Sequence, residues 1–382
     1  MHRPLRVNQL EMSEEIQLEL LAPWYAQSTN ESRTLDFFDA IPKYPFPVTR
    51  TSSRADRIQA PFTLRGKKYL AEILPAQIKD QKTGQERLVF PGSREELIER
   101  ALRFIAVQQI AKTKLTQDIQ TGTQAVTVFF SLSMLRRHLE ELGHGFKLSE
   151  IKEALDILSG TTIELSPAQE DRQEPKTGKW TNRRRHFIKA TILSNYAGAF
   201  EEGDNTGDES RAAMTFHPLA TQAILQLAYY PINHTRVGSL KRPLSRWLTS
   251  RLSHNYRQAR KCGYINDEGY HIALTTILEE RALPRESRLR DNVDSVREAL
   301  SEMKERRILA EMMPYHEKLI HAPSKRRPKI VEAVWTLYPS TEFVDDVING
   351  NREMTSARTK AGGNKRESLL LPGFQDELGE AE

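Results

Sequence analysis

The sequence predicts an α+β protein, because segments with helical spacing of apolar residues alternate along the chain with short apolar segments typical of strands. Its 382 residues are enough for two or three domains, each with a core of its own. The single cysteine excludes a disulfide scaffold and any thiolate-rich zinc or iron–sulfur site, since each of these needs several sulfur atoms. No apolar run is long enough to span a membrane and no signal peptide is recognisable, so we expect a cytoplasmic protein without a membrane partner.

Positive charge is concentrated inside the chain. Residues 236–329 hold 21 basic and 12 acidic side chains, a net charge of +9, whereas residues 1–46 and 331–382 carry −3 and −5. A basic globular region suits a polyanion such as DNA, because each lysine or arginine that meets a phosphate releases condensed counterions. A solvated helix surface would give the same count, so charge alone leaves both interpretations open.

The first half of the chain has the element order of a winged helix. Ser93 and Glu96 match the capping box of a helix that starts at residue 93. A strand, two helices and two further strands are predicted after it, at 126–130, 134–142, 150–159, 161–165 and 186–193. In a winged helix the second of these two helices enters the major groove of DNA, and the hairpin, called the wing, lies on the phosphate backbone.

The same order recurs in the second half. Helical spacing covers 244–256, 275–282 and 286–307, a strand is predicted at 270–274, and another begins at residue 308. In the long helix one apolar stripe is predicted to be buried, formed by Leu289, Val293, Val296, Leu300 and Met303. The sequence therefore predicts two tandem winged-helix (helix-turn-helix) domains, at 61–215 and 216–335, between a flexible N-terminal tail at 1–60 and an acidic, polar C-terminal tail at 336–382.

Catalytic motifs are absent from the sequence. No phosphate-binding loop is present, and no two histidines stand two residues apart, as in a metal-dependent nicking enzyme. Tyr229 and Tyr230 could be paired nucleophiles, but without the metal-binding histidines a packed linker helix is expected. The sequence predicts a protein that is not an enzyme, with no catalytic residue, no metal and no cofactor. An enzyme such as a primase or nickase is the disfavoured alternative.

Three segments carry a resemblance to a known family. They are FFSLSMLRRHLEELGHGFKLSEIKEALDILSGTTIEL at 129–165, PLSRWLTSRLSHNY at 243–256 and RESRLRDNVDSVREALSEMKERRILAE at 285–311. In these segments and in element order the chain resembles plasmid replication initiators of the RepA/TrfA type. The resemblance implies a bacterial protein that binds double-stranded DNA at directly repeated origin sites, called iterons. It also implies melting of adjacent AT-rich DNA and recruitment of host replication proteins such as the sliding clamp and helicase.

The resemblance implies self-association as well, with dimers that repress and monomers that bind iterons. By analogy, the strand at 126–130 and the helix at 134–142 are candidate elements of a homodimer interface, although packing within one chain would explain them too. The alternative function is that of a tandem winged-helix transcriptional repressor without a role in replication. Direct repeats flanking the coding region would favour the initiator, and one inverted repeat would favour the repressor.

A short motif near the N-terminus is similar to the clamp-binding pentapeptide of TrfA-like initiators, which has the form Gln-Leu-x-Leu-Phe. Here residues 34–39 read TLDFFD, with Thr34 in place of the glutamine. The resemblance makes Leu35, Phe37 and Phe38 the apolar anchors for a sliding clamp. The alternative is that these three side chains pack on the protein's own first domain.

In the second winged helix, residues 285–297 are predicted to contact DNA. Arg288, Asn292 and Ser295 share a helix face opposite the apolar stripe, where arginine can read guanine and asparagine can read adenine. Phosphates are expected to meet the start of the helix, where free backbone amides add to the side chains. The predicted set is Arg285, Ser287, Arg288, Arg290, Asp291, Asn292, Ser295 and Arg297. A charged outer face without a ligand is the alternative.

In the first winged helix, the corresponding positions are Lys147, Ser149 and Lys152. This helix is less basic, so a smaller contribution to DNA affinity is expected. A run of three arginines is predicted to lie in the wing and to clamp the DNA backbone; these are Arg183, Arg184 and Arg185. Solvated loop charge is the alternative for that run.

Overall fold

The computed structural model describes residues 31–35, 38–39, 41–44, 51–52, 57–64, 67–79, 84–109, 116–117, 124–167, 188–199, 211–217, 219–221, 229–255, 269–280, 289–322 and 329–360. Over these residues the chain is an α+β protein, as the sequence predicts.

The strands and helices alternate along the chain. The strands are β1 (Glu31–Leu35), β2 (Thr51–Ser52), β3 (Ile58–Leu64), β4 (Lys67–Leu74), β5 (Ala76–Lys79), β6 (Glu86–Val89), β7 (Thr116–Gln117), β8 (Gln124–Ala125), β9 (Thr127–Phe130), β10 (Thr162–Pro167), β11 (Ile188–Thr191), β12 (Leu193–Ala199), β13 (Arg211–Phe216), β14 (Tyr229–Asn233), β15 (Tyr270–Ala273), β16 (Tyr315–His321) and β17 (Ile330–Leu337). The helices are α1 (Ser93–Gln109), α2 (Leu132–Glu141), α3 (Leu148–Gly160), α4 (His234–Gly238), α5 (Pro243–Asn255), α6 (Leu274–Glu280), α7 (Leu289–Glu305) and α8 (Thr341–Lys360).

Two large apolar cores divide the described chain into two domains, and a small third cluster lies within the sequence of the first domain. The first core is built from residues between Phe38 and Ala220, and the second from residues between Val237 and Val347. No residue belongs to both cores. Because the two cores do not overlap along the sequence, the boundary between the domains lies between Ala220 and Val237.

Each domain contains a three-stranded antiparallel sheet with the same strand order. In the first domain β9 pairs with β13, and β13 pairs with β12. In the second domain β15 pairs with β17, and β17 pairs with β16. Two helices lie between the first and second strands of each sheet, α2 and α3 in one domain and α6 and α7 in the other. This is the topology of a winged helix, so the two domains are tandem winged helices.

The wing of the first domain was predicted on the wrong strands. β10, which directly follows α3, pairs with β11 and also with β4, in a separate four-stranded sheet of order β11-β10-β4-β3. The hairpin that completes the winged helix is formed by β12 and β13, whose connection is residues 200–210. The arginine run at 183–185 belongs to the connection between β10 and β11, and therefore does not lie in the wing.

Both predicted tails contribute to the cores, so the tail boundaries need correction. In the N-terminal region, Phe38, Ile41 and Tyr44 are buried in the first core, and the predicted boundary at residue 60 falls inside β3. In the C-terminal region, β17 continues through Leu337, and one face of α8 is buried in the second core. Apolar side chains that are few and widely spaced gave too weak a pattern for these segments to be recognised.

A buried arginine joins the two domains. Arg246 of α5 has a side chain that is 0% exposed, and it donates to the carbonyl of Leu240 at 2.7 Å and to Oε2 of Glu96 in α1 at 2.9 Å. It also donates to the hydroxyl of Ser93 at 2.9 Å. The capping box predicted from Ser93 and Glu96 is therefore wrong, because both side chains bind Arg246. Glu95 takes the capping role, since its Oε2 accepts from the backbone amide of Gly92 at 2.7 Å.

Residues 38–44 lie buried against α1 through polar contacts. Asp39 accepts from Nη1 of Arg103 at 2.8 Å, and the hydroxyl of Tyr44 donates to Oε2 of Glu99 at 2.6 Å. Burial acts to raise the pKa of Asp39, but the charges of Arg103 and Lys43 outweigh it and hold that pKa down at about 2. The segment is thus fixed by paired charges as well as by its apolar side chains.

His217 makes the stability of the first domain sensitive to acid. Its side chain is buried beside the Phe38 ring, with ring centroids 5.2 Å apart, and its Nδ1 accepts from the amide of Leu219 at 3.1 Å. Burial, assisted by the charge of Lys43, lowers the pKa of His217 from 6.5 to about 3. Between pH 6.5 and about pH 3, His217 is protonated in the unfolded chain but neutral in the folded chain. The free energy of unfolding must therefore decrease as the pH falls.

We expect this loss to approach about 1.4 kcal/mol per pH unit for one such histidine. His217→Asn, which keeps an acceptor for the Leu219 amide, should flatten the dependence of the free energy of unfolding on pH between 6 and 4. Urea unfolding at several pH values measures this slope, with the exposed His316→Asn as the matched control. Equal slopes in the two variants would contradict the prediction.

Candidate nucleic-acid interface

α7 has the two-sided character expected of a recognition helix. The predicted apolar stripe is buried in the second core, as expected; its members are Leu289, Val293, Val296, Leu300 and Met303. At the start of the helix the Arg290 side chain is 77% exposed, and its Nε lies 3.9 Å from Oδ2 of Asp294. The apolar stripe therefore holds α7 on the domain while its first turn presents a cation to solvent.

The other residues predicted near the start of α7 divide into described and undescribed ones. Asp291 and Ser295 are exposed, and the Ser295 hydroxyl donates to the carbonyl oxygen of Asp291 at 3.0 Å. Arg285, Ser287 and Arg288 lie outside the described residues, so their prediction as DNA contacts stays a prediction.

Asn292 does not lie on the outer face. It is only 8% exposed, and it begins a row at helical spacing whose other members, Val296, Ala299 and Met303, are all buried. The prediction that Asn292 reads adenine is therefore wrong. Ala299 is the signal that was missed, because a small apolar residue at this position widens the buried arc of the helix far enough to include Asn292.

Arg297 is engaged inside the domain. Its Nε donates to Oε2 of Glu317 at 2.9 Å, its Nη2 donates to Oε1 of the same carboxylate at 2.5 Å, and its Nη1 donates to Asp294 at 2.8 Å. The hydrogen bonds from Arg297 hold the pKa of Glu317 below its usual value. This guanidinium fastens α7 to β16, which corrects its predicted role as a DNA contact.

Two glutamates in the C-terminal half of α7 bind other parts of the protein. Glu302 accepts from the backbone amides of Lys241 and Arg242, at 2.6 and 3.1 Å, and from the Ser245 hydroxyl at 2.6 Å. It thereby caps the start of α5. Glu298 pairs with Arg242 at 2.6 Å. Two carboxylates in the later turns of α7 are therefore engaged within the domain.

A basic wing in the second domain was not predicted from the sequence. The connection between β16 and β17, residues 322–329, contains Lys325, Arg326, Arg327 and Lys329 and no acidic residue. Of these, Lys329 is described and exposed, whereas 323–328 lie outside the described residues. The signal was present as the run SKRRPK between two strand-like segments, but neither strand had been recognised over its full length.

The first winged helix differs in that its recognition helix is partly covered. Glu153 of α3 forms ion pairs with Arg87 of β6 and, at 2.8 Å, with Arg94 of α1. Ile157 packs with β5 and β6, and a Cβ on Gly160 would lie 2.9 Å from the Cβ of Ala76. The chain itself therefore covers much of the outer side of the C-terminal half of α3.

The predicted residues of this first helix lie at its start. Lys147 and Ser149 are exposed, whereas Lys152 is half-buried and has contacts within the protein. The amide of Lys147 donates to Oε2 of Glu150 at 2.7 Å, which caps the helix. Arg183, Arg184 and Arg185 lie outside the described residues.

The wing of the first domain has the opposite charge to the wing of the second. Its connection, residues 200–210, contains Glu201, Glu202, Asp204, Asp208 and Glu209 and no basic residue. Such a segment repels phosphates. The electrostatic conditions for backbone binding are therefore met by the wing of the second domain and not by that of the first.

The proposed clamp motif is not available as a whole. Phe38 is 1% exposed and belongs to the first core, which corrects its prediction as a partner anchor and agrees with the alternative of packing on the protein's own domain. Leu35 ends β1, which pairs with β14, and nothing is described of its side chain. Phe37 lies outside the described residues.

Two further kinds of feature are absent from the described residues. None of their helices has the length and apolar character needed to cross a membrane. In the same residues no three side chains among His, Cys, Asp and Glu come together as a possible metal site.

Topology and charge together define a protein of two tandem winged helices, of which the second has the basic wing. No protein-family model matches the chain, and no curated protein matches it. Among solved structures, it is similar to a crystal structure of RctB domains 2-3, with 13% identity and a TM-score of 0.41, covering 79% of this chain and 96% of that one. A selenomethionine structure of domains 2 and 3 of RctB gives 13% identity, a TM-score of 0.42 and coverage of 80% and 96%. Likeness at this level establishes neither a family nor a function for this chain.

Proposed function

We propose that this protein is a bacterial, cytoplasmic replication initiator that binds directly repeated duplex DNA at a plasmid origin. In this proposal it acts without catalysis or a cofactor, helps to open adjacent DNA and recruits host replication proteins. The observation that carries the DNA-binding part is the charge of the second winged helix, with the exposed Arg290 at the start of α7 and a basic connection between β16 and β17. The part concerning replication comes from the family resemblance of the three sequence segments.

The geometry of a winged helix explains why these two features belong together. A recognition helix enters the major groove with its N-terminal residues, and the wing lies on the neighbouring phosphates. Of the acidic residues of α7, Glu302 caps the start of α5 and Glu298 pairs with Arg242, while Asp291 and Asp294 lie near Arg290 at the start of the helix. In this proposal DNA approaches the end of α7 that carries Arg290, because that end of a recognition helix enters the groove, and Arg285 and Arg288 precede it in sequence.

Two partners besides DNA are considered, a sliding clamp and a second copy of this chain. Because Phe38 is buried, recruitment of a sliding clamp through residues 34–39 is not part of the proposal. For a homodimer, the exposed apolar group within the predicted interface is Phe129, which is 51% exposed on β9, the last strand of its sheet. A dimer that used this face would bury it.

The proposal is tested by DNA titration with the full chain. We expect salt-dependent binding to a duplex that contains the direct repeats beside the coding region, and weaker binding to a shuffled duplex. Arg290→Ala should weaken binding to both duplexes evenly and lower the slope of log K against log salt by about 0.9, because in this proposal Arg290 contacts a phosphate. Fluorescence anisotropy at several salt concentrations measures both quantities.

Lys304→Ala is the matched control, since it removes one exposed positive charge from the opposite end of the same helix. It should leave the slope close to that of the parent protein. Equal preference for repeat and shuffled duplexes would argue against the proposal, and tight binding to one inverted repeat instead would support the repressor.

A further inference from the structure

Glu317 links the recognition helix of the second domain to its wing hairpin. It stands on β16, its side chain is 17% exposed, and its carboxylate accepts two hydrogen bonds from Arg297 in α7. The same carboxylate accepts from the indole nitrogen of Trp335 on β17, at 3.0 Å. One side chain therefore contacts the recognition helix and both strands of the hairpin.

The contact made by Glu317 is positioned to fix the angle between the β16–β17 hairpin and α7. β16 and β17 are paired in continuous register from Tyr315 to Ile320, so the two strands form one stiff ribbon over this length. Glu317 holds the ribbon against the middle of α7, and the basic connection 322–329 begins just beyond the end of β16. A small rotation of the ribbon at Glu317 would be enlarged at the far end of the ribbon, where His321 and Lys329 lie.

Stability alone does not account for the arrangement. The Arg297 side chain is 39% exposed and that of Glu317 is 17% exposed, so water and salt screen part of the attraction between the two charges. What a bidentate arginine–carboxylate pair supplies is orientation, because the planar guanidinium fits the carboxylate in one geometry. The bond from Trp335 adds a third fixed direction.

We propose that Glu317 is a positioning residue that fixes the angle of the basic wing relative to α7, so that base and phosphate contacts fall on the same duplex. This inference rests on the proposed DNA-binding function. It makes two separable statements: Glu317 orders the hairpin in the free protein, and that order is needed for the contacts of the hairpin with DNA phosphates.

The first statement is tested without DNA. Glu317→Gln keeps an acceptor for Trp335 but loses the charged pair with Arg297. Spin labels at Ser295→Cys in α7 and Lys329→Cys next to β17, in a Cys262→Ser background, should give a broader distance distribution in Glu317→Gln than in the parent. The matched control is Glu332→Gln, because Glu332 is a half-buried strand glutamate that binds Thr275 of α6 instead of α7. An unchanged distribution in Glu317→Gln would overturn the inference.

The second statement is tested by the salt dependence of duplex binding. Glu317→Gln should lower the slope of log K against log salt by about 0.9 or more, which corresponds to the loss of at least one phosphate contact. Glu332→Gln should leave the slope unchanged. Lys329→Gln, at the exposed end of the hairpin, should then cost less affinity in the Glu317→Gln background than in the parent, because its contact with a phosphate is already weakened. Fully additive effects would overturn the inference. A broadened distance distribution in a protein with no salt-dependent duplex binding at all would instead contradict the proposed function.

Discussion

Arg246→Met is expected to destabilise the protein by about 3 kcal/mol, because the substitution leaves the carboxylate of Glu96 buried without its main partner. The Arg246 side chain is fully buried between the domains, where it holds Glu96, Ser93 and the carbonyl oxygens that precede α5. Arg100 still contacts Glu96, at 3.3 Å, which keeps the expected loss near the lower end for a broken buried pair. Urea-induced unfolding followed by circular dichroism measures the effect.

Arg242→Met is the matched control for this prediction. Arg242 is close to Arg246 in sequence and pairs with Glu298, but the two side chains are 49% and 57% exposed, so its loss should cost about 1 kcal/mol or less. Adding Glu96→Gln to Arg246→Met should restore part of the stability, because no unpaired charge then remains buried. If Arg246→Met were as mild as Arg242→Met, the buried pair would not be what joins the domains.

Neutralising the wing of the second domain is expected to have the largest effect on DNA binding. Each phosphate contact contributes roughly eightfold to affinity at 0.1 M salt when the slope is about 0.9 per contact. The triple variant Lys325→Gln, Arg326→Gln and Arg327→Gln should therefore bind duplex about 500-fold more weakly and show a slope lower by about 2.7. Anisotropy titrations from low to high salt measure both changes.

The arginine run of the first domain supplies a control with the same change in charge. Arg183→Gln, Arg184→Gln and Arg185→Gln together should reduce affinity much less, since this run belongs to the β10–β11 connection and not to a wing. A larger loss in this control than in the wing variant would assign the main phosphate contacts to the first domain.

Sequence periodicity correctly predicted those features of the structure that depend on residues close together along the chain. The stripe from Leu289 to Met303 correctly placed α7 and its buried side, because helical spacing is a local property. The order of elements in both domains also followed from local patterns. Fold class and the existence of two winged helices could thus be predicted from the sequence.

Strand pairing could not be predicted from local sequence patterns. Ile163 on β10 and Met214 on β13 are both buried apolar strand residues, and nothing local shows that only β13 pairs with β9. The choice is made by contacts distant in sequence, such as that of β10 with β4. The wing was therefore assigned to the wrong connection, and with it the arginine run at 183–185.

For single side chains, too, the local sequence did not show which tertiary contacts each one makes. Glu96 fits a capping box by sequence, yet it serves Arg246, a residue far along the chain. Asn292 fits a base-reading position, yet the small Ala299 lets the core extend to it. Phe38 fits a partner motif, yet it is part of the first core. In each case a polar or apolar side chain had two possible partners, and tertiary packing selected between them.

Amide hydrogen exchange of the full chain, with and without a duplex of the direct repeats, tests most directly whether the second winged helix contacts the DNA. We expect duplex to slow exchange at the start of α7, around residues 285–295, and at the ends of β16 and β17 beside residues 322–329, while the start of α3 is unaffected. Slower exchange confined to α3 and to the β12–β13 hairpin would contradict this assignment and place the DNA on the first domain.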